Sequence, residues 1–118
     1  MKRRILILVT LLLLFSGCGL KRTISMYETR QPYYGEITVV SLGQPIPSGY
    51  KMIGTGSYGE KGLTRTDDCT LEAIINQART DAKEKGASLI SIMKIKEPSI
   101  LLSTCYQVTI SFYISDNQ

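Results

Sequence analysis

The sequence predicts a small α+β domain: a β-β-α-β-β unit in which one amphipathic helix packs on a mainly antiparallel sheet, behind a signal peptide and a polar tether. Three observations carry that expectation. Residues 71–85 repeat apolar side chains at helical spacing, residues 106–114 alternate strictly between apolar and polar, and the first 18 residues have the profile of an export signal.

The N-terminal segment sets the compartment. Lys2-Arg3-Arg4 precedes an apolar run from Ile5 to Phe15 broken only by Thr10, and the run closes on Ser16-Gly17-Cys18. That is a charged start, an apolar middle and small residues at a cleavage point. A membrane-spanning helix needs about 20 apolar residues, so this run is too short to serve as one. Leu14-Phe15-Ser16-Gly17-Cys18 resembles the lipobox of bacterial lipoproteins, with Phe15 standing where leucine is usual. The resemblance implies that Cys18 is acylated with fatty acid, becomes the mature N-terminus and holds the protein to a membrane. Because Gly19 rather than aspartate follows, it also implies the outer membrane, with the domain facing the periplasm. The plainer alternative is an ordinary secretory signal that leaves Cys18 as a free thiol. The expected division is a signal peptide over 1–17, a lipidated N-terminus and tether over 18–34, and a globular domain over 35–118.

Removing the signal changes what composition says. Of 14 Lys+Arg against 10 Asp+Glu, Lys2, Arg3 and Arg4 leave with it, so 11 face 10. No basic patch remains to argue for nucleic acid. Residues 18–118 make one domain, with a core at the lower end of what is self-sufficient. A covalent staple would help. With Cys18 taken by lipid, Cys69 and Cys105 remain as a pair in an oxidising compartment, and a structural disulfide is the economical reading. In the chain-entropy account a bridge closing such a loop gives about 4 kcal/mol. A metal or redox site is the competing reading, but the chain has no histidine and no Cys-x-x-Cys.

From Gly19 to Tyr34 the chain carries Lys21, Arg22, Glu28 and Arg30 without a sustained period, which reads as a linker reaching at most about 50 Å. Tyr33-Tyr34 marks the entry to the domain, with one ring packing on it. Glu36 to Leu42 is β-branched and reads as the first strand. Pro45 and Pro47 then force a connection, since neither offers a ladder donor. Tyr50 to Tyr58 resumes as a strand in which Gly54 and Gly56 mark a bulge or a close backbone approach. Gly54-Thr55-Gly56-Ser57-Tyr58-Gly59 also satisfies G-x-G-x-x-G, yet the next helix begins some ten residues too late to meet a pyrophosphate, so no cofactor is expected.

Leu71, Ile74, Ile75, Ala78 and Ala82 form one stripe of the helix, and Glu72, Asn76, Arg79, Lys83 and Glu84 fall outside it. Asp68 or Thr70 can cap its start, Asp81 and Lys85 can pair at i,i+4, and Gly86 is placed for a left-handed C-cap. Nothing in the spacing sets Arg79 or Asp81 apart from ordinary surface residues. Ala87 to Met93 reads as a buried strand that turns to alternation up to Lys96 and stops at Pro98. In the last strand Tyr106, Val108, Ile110, Phe112 and Ile114 make the face for the helix, and Gln107, Thr109, Ser111 and Tyr113 the polar face. Cys105 falls on the polar parity, so a bridge to Cys69 has to form at a strand end.

The run from Ala78 to Ile90, an alanine-faced helix ending in Gly86-Ala87 and entering a strand, resembles small bacterial domains of the YbjQ type. Together with Cys105-Tyr106 it is also similar to the globular part of the stress-sensor lipoproteins of the Rcs pathway. That resemblance implies the β-β-α-β-β order and a non-enzymatic role in envelope sensing or scaffolding. Without histidine, a clustered carboxylate dyad or an activated-nucleophile pattern, the residues point away from an enzyme. The expected partners are a membrane, through Cys18, and an envelope protein, with a homo-oligomer left open. The alternative is a periplasmic inhibitor or small-ligand-binding lipoprotein. No catalytic, cofactor or metal residue is expected.

Overall fold

The computed structural model describes residues 22–59, 70–98 and 105–117. Five strands and one helix occur among them: β1 (Arg22–Met26), β2 (Thr38–Val40), β3 (Tyr50–Tyr58), α1 (Leu71–Lys85), β4 (Leu89–Lys96) and β5 (Gln107–Ser115). They form one sheet in the order β1-β3-β5-β4-β2, antiparallel except for the pairing of β2 with β4. The expected α+β class, one helix on a mainly antiparallel sheet, is what the chain adopts.

The helix forms where its stripe predicts. Thr70 is the N-cap and its Oγ1 accepts from the Ala73 amide at 3.2 Å; Gly86 ends the helix at φ 84°, where an L side chain would be strained. Ile74, Ala78 and Ala82 are fully buried against the sheet. Two alanines at the contact let the helix backbone approach the strands closely, and Ile53, Ile90, Ile92, Val108, Ile110 and Phe112 complete the core beneath it.

Two irregularities keep the apolar residues on that face. In β3 the register against β5 shifts between Met52 and Gly54, so Ile53 turns into the core. In β4 the shift falls between Ile92 and Lys94, which leaves Met93 half-exposed and changes the parity of the lysines that follow. Gly54 and Gly56 both serve close approach. A Cβ on Gly54 would stand 2.8 Å from the Ser25 carbonyl and 2.4 Å from the Met26 sulfur, and one on Gly56 2.9 Å from the Tyr58 ring. The G-x-G-x-x-G run therefore lies mostly inside a strand, as packing space.

The first correction concerns the tether. Arg22–Met26 is an edge strand paired residue for residue with β3, from Arg22↔Tyr58 to Met26↔Gly54. The Tyr27 amide donates to the Ile53 carbonyl, and the Tyr33 amide donates at 2.8 Å to the Lys83 carbonyl in the last turn of α1, which also accepts from the Gly86 amide. Residues 22–34 are therefore part of the domain. The expectation for Tyr33-Tyr34 holds in part: Tyr33 is half-buried with its ring over Gly35, whereas Tyr34 is 90 % exposed.

Further corrections are smaller. The strand expected over 36–42 is regular only for Thr38–Val40, held in parallel to β4 and started by the Thr38 amide on the Ser88 carbonyl. The supposed polar face of β5 is polar for only part of its length, because Ser111 and Tyr113 are buried. Tyr113 packs with Val40 and Leu89 under Ile46 and Tyr50, a second small cluster covered by the β2–β3 connection. Asp81 does not pair with Lys85; it is buried and bound elsewhere.

Candidate functional site

Asp81 is the one buried charged residue among the described residues, at 2 % exposure, on the core side of α1. Burying a carboxylate without partners would be prohibitive, and here both oxygens are occupied. Oδ2 accepts from the Tyr58 hydroxyl at 2.8 Å and meets Arg22 Nε at 3.0 Å; Oδ1 accepts from Gln77 Nε2 at 3.0 Å. Gln77 lies one turn earlier on the same helix, Tyr58 ends β3 and Arg22 begins β1, so one carboxylate joins three elements. Burial, and then the hydrogen bond to Asp81, push the Tyr58 phenol well above its ordinary pKa. A phenol so held keeps its proton at physiological pH, and both carboxylate oxygens already have partners. The cluster clamps β1, β3 and α1 together.

The opposite face of the sheet is more open to a ligand. The register places Ser57 beside Thr109, Thr109 beside Lys94, and Gln107 beside Lys96. Ser57, Gly59, Lys94, Lys96, Gln107 and Thr109 line a concavity of about 370 Å³. Lys94 and Lys96 are exposed, and among the described residues neither has an acidic partner. A hollow walled by hydroxyls, an amide and two ammonium groups can hold an anion but offers no nucleophile activated by a base. The lysines join Ser57 and Thr109 on this face because the β4 bulge resets the alternation.

A second hollow of about 520 Å³ lies where residues 29–34 pass over the end of α1, between Arg30, Tyr33, Tyr34, Gly86 and Ile114. At its rim Glu28 pairs with Arg30 and Lys51, and the hydrogen bonds from Lys51 and Arg30 hold its carboxyl below the usual value. These are exposed ion pairs of the kind that adds little stability.

Of the three cysteines expected to carry the lipid and the bridge, Cys105 alone is described. It is 2 % exposed just before β5. Cys18 and Cys69 lie outside the described residues. The expected polar-face position of Cys105 has not kept it in solvent. Asp81 and Arg22 are what the sequence reading missed. The available signal was that Asp81 stands seven residues after Ile74 and three after Ala78, both on the buried stripe. No helix among the described residues is long and apolar enough to cross a membrane, and none of their His, Cys, Asp and Glu side chains gather in threes. The chain matches no family model, curated protein or solved structure.

Proposed function

We propose that this is a lipid-anchored protein of the bacterial outer membrane whose domain works without catalysis, as an interaction, sensing or scaffolding module. The observation that carries the reading is the run from Lys2 to Cys18, a short charged-then-apolar segment ending in Ser16-Gly17-Cys18. The non-enzymatic part is supported by the clamp at Asp81, whose oxygens are all engaged within the core. The resemblance of residues 78–90 to envelope stress-sensor domains points the same way. A second reading, a small-ligand binder or inhibitor, draws on the hollow at Tyr33, Tyr34 and Gly86.

In this reading Cys69 is the partner of Cys105 and the bridge is structural. It would tie the approach to α1 to the start of β5, the central strand. Titration of the exported, non-reduced protein should then find no reactive thiol, and two would remove the bridge.

Metabolic labelling with a radioactive or clickable fatty acid tests the anchor. Wild-type protein should take the label and fractionate with outer membranes, and Cys18→Ser should lose both. A wild type without label, or a labelled Cys18→Ser variant, would end the lipoprotein reading.

A further inference from the structure

We propose that the end of the sheet where β1 begins is a seat for anionic lipid headgroups, with the ammonium groups of Lys94 and Lys96 as its binding groups. This rests on the lipid anchor at Cys18 put forward above. Residues 19–21 alone separate Cys18 from Arg22, the first residue of β1. Four Cα steps span at most about 14 Å when fully extended, far less than the reach of a free tether. An acylated residue sits at the membrane surface, so the start of β1 is held within about 14 Å of the headgroups.

The sheet register carries this constraint across the molecule. Arg22 lies opposite Tyr58, Tyr58 opposite Val108, and Val108 opposite Ile95. Three strand spacings put Ile95 about 14 Å from Arg22 at the same end, with Lys94 and Lys96 on either side of it. Their side chains meet in the concavity with Ser57 and Thr109, whose hydroxyls add neutral donors for phosphate oxygens. Of the described carboxylates, Glu97 is exposed at this end, while Glu72, exposed in the first turn of α1, and Asp81, engaged by Arg22, lie on the helix side. Lys51, Lys83 and Lys85 belong to the other end. Tyr50 and Tyr58 bound a nine-residue strand, so the two ends stand about 27 Å apart, more than three Debye lengths at physiological salt. The short connection selects the end, and the lysines supply the chemistry.

The test uses acylated protein purified from membranes and reconstituted in phosphatidylethanolamine vesicles with or without phosphatidylglycerol. Intact mass first establishes whether Cys18 carries lipid. Acetylation rates of individual lysines are then read by peptide mass spectrometry. Lys94 and Lys96 should react about 5-fold more slowly when phosphatidylglycerol is present, the factor expected for a lysine held at an anionic surface. Lys51, Lys83 and Lys85 should react at unchanged rates, and the protection should vanish at about 1 M salt. Acylated protein with equal rates in both vesicles, or with protection at the far end instead, overturns the seat and leaves the anchor standing. An unacylated Cys18 overturns the anchor and the seat with it.

Discussion

The two faces of the sheet are built from the same strands and end in opposite conditions. On one, Ile90, Ile92, Val108, Ile110 and Phe112 lie under α1 in a dry core that admits a single carboxylate with every oxygen engaged. On the other, among the described residues, Leu89 and Tyr113 are covered at one end by Ile46 and Tyr50, and the surface continues as Ser57, Thr109 and Lys94. The difference follows from how much cover the chain has. A 15-residue helix is about 22 Å long and shields one face, and among the described residues the second face receives only the short β2–β3 connection. Hence a polar group on the helix face is confined to fixed partners, while one on the open face is free to meet a ligand.

Substitutions sharpen that contrast. Asp81→Ala should cost the most, about 3 kcal/mol in urea denaturation, since it strands the buried Tyr58 hydroxyl and leaves Arg22 to reach for water. A loss below about 1 kcal/mol would mean that the clamp contributes little and the faces differ less than their burial suggests. Tyr58→Phe comes next, at about 1 kcal/mol, and carries a pH signature. The Tyr58 pKa is raised above its ordinary 10.0, so the folded state holds this proton more tightly than the unfolded chain does. Its contribution is complete below pH 10.0 and declines as pH rises above that value. Wild type should therefore lose its advantage over Tyr58→Phe in alkaline melts, and a constant difference from neutral to alkaline pH would contradict the assignment. Ser57→Ala, across the sheet, should change stability by less than about 0.5 kcal/mol.

What could be read from the chain alone divides along the same line. Helix α1 was legible because its stripe, its Thr70 cap and its Gly86 terminus agree with one another, and β5 because Val108, Ile110, Phe112 and Ile114 alternate without interruption. Strand β1 was hidden. Ile24 and Met26 do point to the core, but Arg22 holds the third inward position, and five residues with a charge in the pattern read as linker. The inward turn of Arg22 makes sense only with Asp81 across from it, a partner 59 positions away in sequence. The lysine pair was legible as alternation about Ile95, but the bulge at Met93 that sets this parity against Ile90 and Ile92 was not.

The strand order has a consequence for how the chain acquires its shape. β5, the last strand in sequence, lies between β3 and β4, so neither has a neighbour on its inner side until β5 is present. β1 and β2 sit at the two outer edges and depend on β3 and β4 in turn. A chain emerging from its N-terminus thus has only one antiparallel pair, β1 with β3, before the final strand appears, and an isolated two-stranded ribbon is marginal in water. Productive folding waits for residues 107–115, and the pairings it then makes are mostly long-range, the arrangement that closes slowly. Truncation within β5 removes the centre of the sheet rather than its margin.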